Sequence, residues 1–148
     1  MRIFICIVLI LAVGVVILLA TSPGEEHSSG EWKEAFQKLD YKQALVKAEE
    51  ENKVIMMDFT TDWCGACRML ENDTFSKEKV KTFLKNKVVA IQVDADKSPA
   101  LTSKYNVTGF PTMVFVNSTG DEVGRIKGYR DAGTFLDEAS AYSMRTGL

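Results

Sequence analysis

Asp58-Phe59-Thr60-Thr61-Asp62-Trp63-Cys64-Gly65-Ala66-Cys67 is the stretch that decides how the chain is read. An apolar run, Val54 to Phe59, ends here and predicts a central strand, with a helix opening at or just after Cys64. Two cysteines separated by two residues can close and reopen a small disulfide ring with little backbone movement. A strand leading into such a pair at a helix start marks thiol–disulfide chemistry. The unpaired N–H groups and positive dipole end of that helix favour an anion, so they stabilise a Cys64 thiolate. Cys67, one turn further in, is expected to be more buried and able to attack a mixed disulfide formed at Cys64. Two plainer uses of such a pair compete with this. A zinc site needs four ligands, and the remaining candidates are Cys6, inside an apolar segment, and His27, in a polar one. A purely structural disulfide closing so short a loop removes little unfolded-chain entropy. Redox chemistry ranks ahead of both, and no metal or cofactor is called for.

The 148 residues give room for one ordinary domain and an appendage. Net charge is −2, from 18 basic and 20 acidic residues, and no basic patch points to nucleic acid. Ile3 to Ala20 is an uncharged apolar run near the lower length limit for crossing a bilayer. Arg2 precedes it and Glu25 and Glu26 follow, so the positive-inside rule keeps the N-terminus cytoplasmic and sends the rest outward. Residues 1–20 are therefore expected to be a membrane anchor, with a cleaved signal as the alternative. Residues 21–30 (TSPGEEHSSG) read as a flexible stem, and residues 31–148 as the domain.

Along the domain, Trp32 to Leu39 fits either a short helix or a first strand. Asp40 with Gln43 forms a capping-box pattern that opens a helix from Tyr41 to about Asn52, with Ala44, Leu45 and Ala48 on one face. Asn72-Asp73-Thr74 is expected to break the helix after the cysteines, and Ser76 to cap a second piece buried through Val80, Phe83 and Leu84. Val88 to Val93 reads as a strand covered on both faces. Ser98-Pro99 begins a short helix to Tyr105. Thr112–Val116 and Glu122–Lys127 form a hairpin, and a last helix runs from Ala132 to about Met144 behind Asp131.

With Gly109-Phe110-Pro111-Thr112 following the cysteine motif, the sequence resembles the thioredoxin superfamily over roughly Asp40 to Met144. Arg68-Met69-Leu70-Glu71 and Thr74-Phe75-Ser76 look closer to the C-terminal domain of the transmembrane disulfide reductase DsbD, and to related membrane-anchored thioredoxin-like proteins, than to cytosolic thioredoxin. The resemblance implies an α/β thioredoxin fold, a central mixed β-sheet flanked by helices, here preceded by one N-terminal hydrophobic helix. The chain lacks the helical insertion of DsbA-type oxidases.

The resemblance also implies roles. Pro111 matches the family's cis-proline, which would leave the backbone of Phe110 free to pair with an extended substrate. Asp58 matches a buried acid beneath the cysteines, its pKa raised by desolvation and suited to take a proton from Cys67. The lysine that thioredoxins place near that acid is expected at Ala90, so the relay would lack this partner. Trp63 is expected to shield the pair and line a substrate groove. Gly65-Ala66 contains neither the histidine of strong oxidases nor the proline of thioredoxin. Without a nearby cation, that leans towards a reductase or electron relay. The expected partners are protein disulfides and an upstream thiol donor, in the periplasm or another extracytoplasmic space. A disulfide oxidase or isomerase, and a non-enzymatic client-binding adaptor, are the competing functions. The anchor reading has a direct check: protease added to spheroplasts should remove the domain, while uncut protein fractionates with membranes. A soluble form beginning near Thr21 would show a cleaved signal instead.

Overall fold

Residues 30–146 are described by the computed structural model, and the strand leading to the cysteine pair lies inside its sheet. Strand β1 (Val54–Thr60) is buried at every position before Thr60. On one side β2 (Val88–Asp94) runs parallel to it; on the other lies antiparallel β3 (Thr112–Val116), followed by antiparallel β4 (Glu122–Lys127). The spatial order is β2-β1-β3-β4.

Alternate residues of a strand face opposite sides, and both sides of this sheet are filled. Met56, Ala90, Met113 and Phe115 join one core with Leu70, Phe75, Leu84 and Phe135. Ile55, Met57, Phe59, Ile91 and Val114 join another with Ala44, Ala48 and Tyr105. This is why β1 and β2 read as apolar runs rather than as alternating patterns. Helix α1 (Tyr41–Glu51) covers the second face. Helices α2 (Gly65–Leu70), α3 (Glu78–Lys87) and α5 (Ala132–Ser143) cover the first, and the short α4 (Pro99–Lys104) joins β2 to β3.

Several elements begin where the sequence places them. Asp40 accepts the Gln43 N–H at 2.8 Å, while Gln43 accepts the Asp40 N–H at 2.9 Å, a reciprocal cap for α1. Asp131 accepts from Gly133 and Thr134 at the start of α5. Trp32–Leu39 takes the helical form and adds no strand to the sheet. A 3₁₀ helix, Glu31–Ala35, is followed by extended Phe36, and the Gln37 N–H reaches the Ala90 carbonyl on the outer edge of β2 at 2.8 Å.

Two expectations fail, for one reason. Asn72-Asp73-Thr74 does not break the helix: α2 passes directly into a π-helical turn, Glu71–Phe75. The wider turn delivers Phe75 into an aromatic cluster with Trp32, Phe36 and Phe135, fully buried. Thr74 is held from the other side, its hydroxyl donating to the Arg130 carbonyl at 2.5 Å. Ser76 therefore closes the turn, its hydroxyl bonded to the Asn72 carbonyl, and α3 starts at Glu78 behind Lys77, with no side-chain cap. Burying one large ring outweighs the weak local preferences of Asn, Asp and Ser. The short helix α4 ends at Lys104, and α5 ends at Ser143. The apolar run at residues 1–20 and nearly all of the stem lie outside the described residues. Among the described residues no helix is long and apolar enough to cross a membrane.

Candidate active site

A turn closed by the Cys64 N–H on the Thr61 carbonyl, at 3.1 Å, carries the chain from β1 into α2. Cys64 takes the N-cap position with extended backbone, and its sulfur accepts the Cys67 N–H at 3.1 Å. The two residues are joined as a disulfide with Cα atoms 5.3 Å apart. Cys64 keeps 6% of its surface exposed and Cys67 only 2%, so the deeper position falls to the second cysteine.

Strand alternation puts Asp58 on the same face as Met56, the face covered by α2. The residue is 1% exposed. One oxygen, Oδ2, accepts from Gln92 Nε2 at 3.2 Å; the other, Oδ1, has no hydrogen-bond partner. Burial pushes the acid up to about 7, the Gln92 hydrogen bond works the other way, and the negative charge of Glu71 adds to the rise. Glu71 is half-buried on the π-helical turn and accepts the second Gln92 N–H at 3.1 Å. Its own affinity for a proton is raised, chiefly by burial, against the opposing Gln92 hydrogen bond and the charges of Lys33 and Arg68.

This corrects the expected place of the family's lysine. In the parallel register, Asp58 pairs with Gln92, and Ala90 pairs with Met56. The position beside the acid holds a neutral amide that bridges two carboxylates. The sequence carried a signal for this, since Gln92 is the polar interruption of Val88–Val93. Glu71 was legible too, four residues after Cys67 and hence on the same helical face.

Trp63 stands 68% exposed beside the pair, edge-on to Phe110 with ring centroids 5.9 Å apart. Its indole N–H donates to Asp96 Oδ2 at 3.0 Å. The Phe110–Pro111 peptide is cis, and the Pro111 carbonyl accepts the Gly128 N–H at 2.8 Å. A groove of about 200 Å³ runs beside it, lined by Phe110, Pro111, Arg125, Lys127 and Gly128. Behind the pair, a cavity of about 350 Å³ is lined by Trp32, Thr61, Cys67, Arg68, Glu71 and Gln92. Cys6 and His27, the other ligands a zinc site would need, lie outside the described residues.

The sequence profile of the thioredoxin-like domain family matches residues 41–142. Over 97 residues, 62% of this chain, the sequence is 39% identical to the thiol:disulfide interchange protein DsbD of Yersinia pestis (strain Pestoides F), but this spans only 16% of that protein. A thioredoxin from Thermus thermophilus superposes with a TM-score of 0.68 at 29% identity, covering 76% of this chain and 91% of that one. DsbH oxidoreductase shares the fold, with a TM-score of 0.65 at 23% identity over 72% of this chain and 83% of that one.

The raised acid makes stability depend on pH. Between the unfolded value near 4 and the folded value of about 7, the native state binds a proton that the unfolded state has lost. Stability therefore falls as pH rises through this window, and the full penalty is present above it. Asp58→Asn removes the penalty. Urea unfolding of the oxidised protein should find the variant more stable at pH 8, by on the order of 4 kcal/mol at most, with the advantage gone at pH 4.

Proposed function

Since the chain belongs to the thioredoxin-like family of thiol–disulfide oxidoreductases, we propose that it is a membrane-tethered reductase or electron relay. It passes electrons by dithiol exchange in an extracytoplasmic space. Residues 1–20 serve as the anchor, 21–30 as the stem and 31–148 as the redox domain. An upstream dithiol supplies the electrons and protein disulfides receive them, in keeping with the interchange role named for the DsbD relative.

In the reduced protein the Cys64 thiolate attacks a client disulfide. One client sulfur leaves as a thiolate and takes a proton from solvent, while the other is held to Cys64. Cys67 then gives its proton to the Asp58 carboxylate and attacks Cys64 Sγ. The Cys64–Cys67 bond forms, the bond from Cys64 to the client breaks, and the second client thiolate departs. Two electrons have passed to the client. An incoming dithiol reverses the sequence to recharge the pair. Asp58 suits its part because its affinity for a proton lies near neutrality. Trp63, Phe110 and Pro111 form the surface over which an extended client strand would lie, with main-chain pairing at Phe110.

The observation that carries the direction is the acidic pair Asp58 and Glu71 bridged by Gln92 on the Cys67 side. Negative charge there disfavours thiolates, and a less stabilised reduced form makes a stronger reductant. The potential, measured by equilibration with glutathione, should fall nearer the thioredoxin value of roughly −270 mV than the DsbA value of about −120 mV. A value at the oxidising end would turn the assignment to an oxidase. The division of labour between the cysteines is tested by trapping. Cys67→Ser should accumulate clients covalently joined to Cys64, and Cys64→Ser should trap none. Equal trapping by both variants, or none by either, would favour an adaptor. The trapped proteins name the clients.

A further inference from the structure

We propose that the guanidinium group of Arg68 holds the Cys64 thiolate in its ionised form, and so offsets the carboxylates packed behind Cys67 in setting the potential of the pair. The inference rests on the dithiol reading above and adds a residue that neither the motif nor its two central residues supply. Arg68 follows Cys67 directly on α2, and its exposed side chain reaches back toward the loop that precedes Cys64. Nη1 donates to the Asp62 carbonyl at 3.0 Å. Nη2 lies 3.9 Å from where a Cβ on Gly65 would stand. Asp62 and Gly65 flank Cys64 in the chain, so the guanidinium is held beside the loop that presents it. The same group borders the cavity that Cys67 lines.

The charges around the pair make this cation matter. Asp62 from the loop itself, Glu71 from the π-helical turn and Asp94 from β2 line the cavity that Cys67 borders, and Asp58 on β1 is linked to Glu71 through Gln92. Asp96, bonded to Trp63, adds another acid beyond β2. Against them stand Lys33 from the 3₁₀ helix and Lys97, which is committed to Asp94. On the β3 side Phe110 and Pro111 are uncharged, and the groove beside them adds Lys127 and Arg125 from β4, the latter paired with Glu122. A thiolate forming here meets mainly acids, and each raises the free energy of a further negative charge. Arg68 is the cation built into the cysteine loop, and it already acts on its surroundings by opposing proton uptake at Glu71. Its exposed position means that salt should weaken the effect.

The test titrates Cys64 in the reduced full-length protein, by the pH dependence of its alkylation rate, in wild type, Arg68→Met and Arg68→Lys. Arg68→Met should raise the Cys64 pKa by about one unit, a tenfold loss of thiolate at pH values below it. Arg68→Lys, which keeps the charge and loses the planar fork, should stay within about 0.3 unit of wild type. Raising salt from about 0.1 M to 1 M shortens the Debye length from roughly 10 Å to 3 Å and should bring Arg68→Met and wild type together. At a pH above both titrations, the tenfold change should appear against glutathione as a potential about 30 mV more negative in Arg68→Met. Thermal melts establish that each variant is folded. Two outcomes overturn the proposal: Arg68→Met titrating like wild type, or Arg68→Lys failing as Arg68→Met does, which would assign the effect to the Asp62 hydrogen bond. If the wild type alkylates normally but does not exchange with glutathione, the redox reading fails, and the alkylation titration still decides the part played by Arg68.

Discussion

A carboxyl group enclosed in a sheet that is covered on both faces is costly to ionise, because the interior cannot replace the water it has lost. Asp58 is held in that position by its neighbours on β1. Met57 and Phe59 belong to one core and Met56 to the other, so the strand cannot rotate or slip without exposing a face. The acid stays protonated to higher pH than an ordinary aspartate, on the sheet face that the cysteine-bearing helix covers. The same burial that disfavours its charge gives it this property. Gln92 moderates the situation without neutralising it, since an amide donates hydrogen bonds and carries no charge.

Much of this was legible one residue at a time. The reciprocal Asp40–Gln43 cap, the Asp131 cap and the apolar runs of β1 and β2 follow from local rules that the folded protein keeps. The cysteine pair and Pro111 stood out because few arrangements of those residues share one chain. Asp58 stood out because an acid among Met57 and Phe59 has no local explanation. What could not be read locally was the consequence of packing one element against another. Phase across a parallel strand pair depends on the connection between the strands, and a shift of two residues separates Ala90 from Gln92. The π-helical turn likewise exists because Phe75 has a slot between Trp32, Phe36 and Phe135, a slot made by residues distant in sequence.

Electrostatics around the pair show the same division. Counting residues between the cysteines suggests a site without a cation. Folding ties Arg68 to the Asp62 carbonyl and puts Glu71 on the wall of the cavity that Cys67 also lines, so charges of both signs border one space. Motif composition describes the covalent ring.

The chain has two tryptophans, and their placement has an optical consequence. Trp63 is largely in water and adjoins the disulfide, whereas Trp32 is 5% exposed and enclosed by phenylalanine rings. The first should emit at long wavelength, yield to aqueous quenchers and brighten when the disulfide opens. The second should emit further to the blue and change only when the aromatic cluster comes apart. One emission spectrum thus carries two independent signals, one for the state of the sulfurs and one for the integrity of the core beneath them.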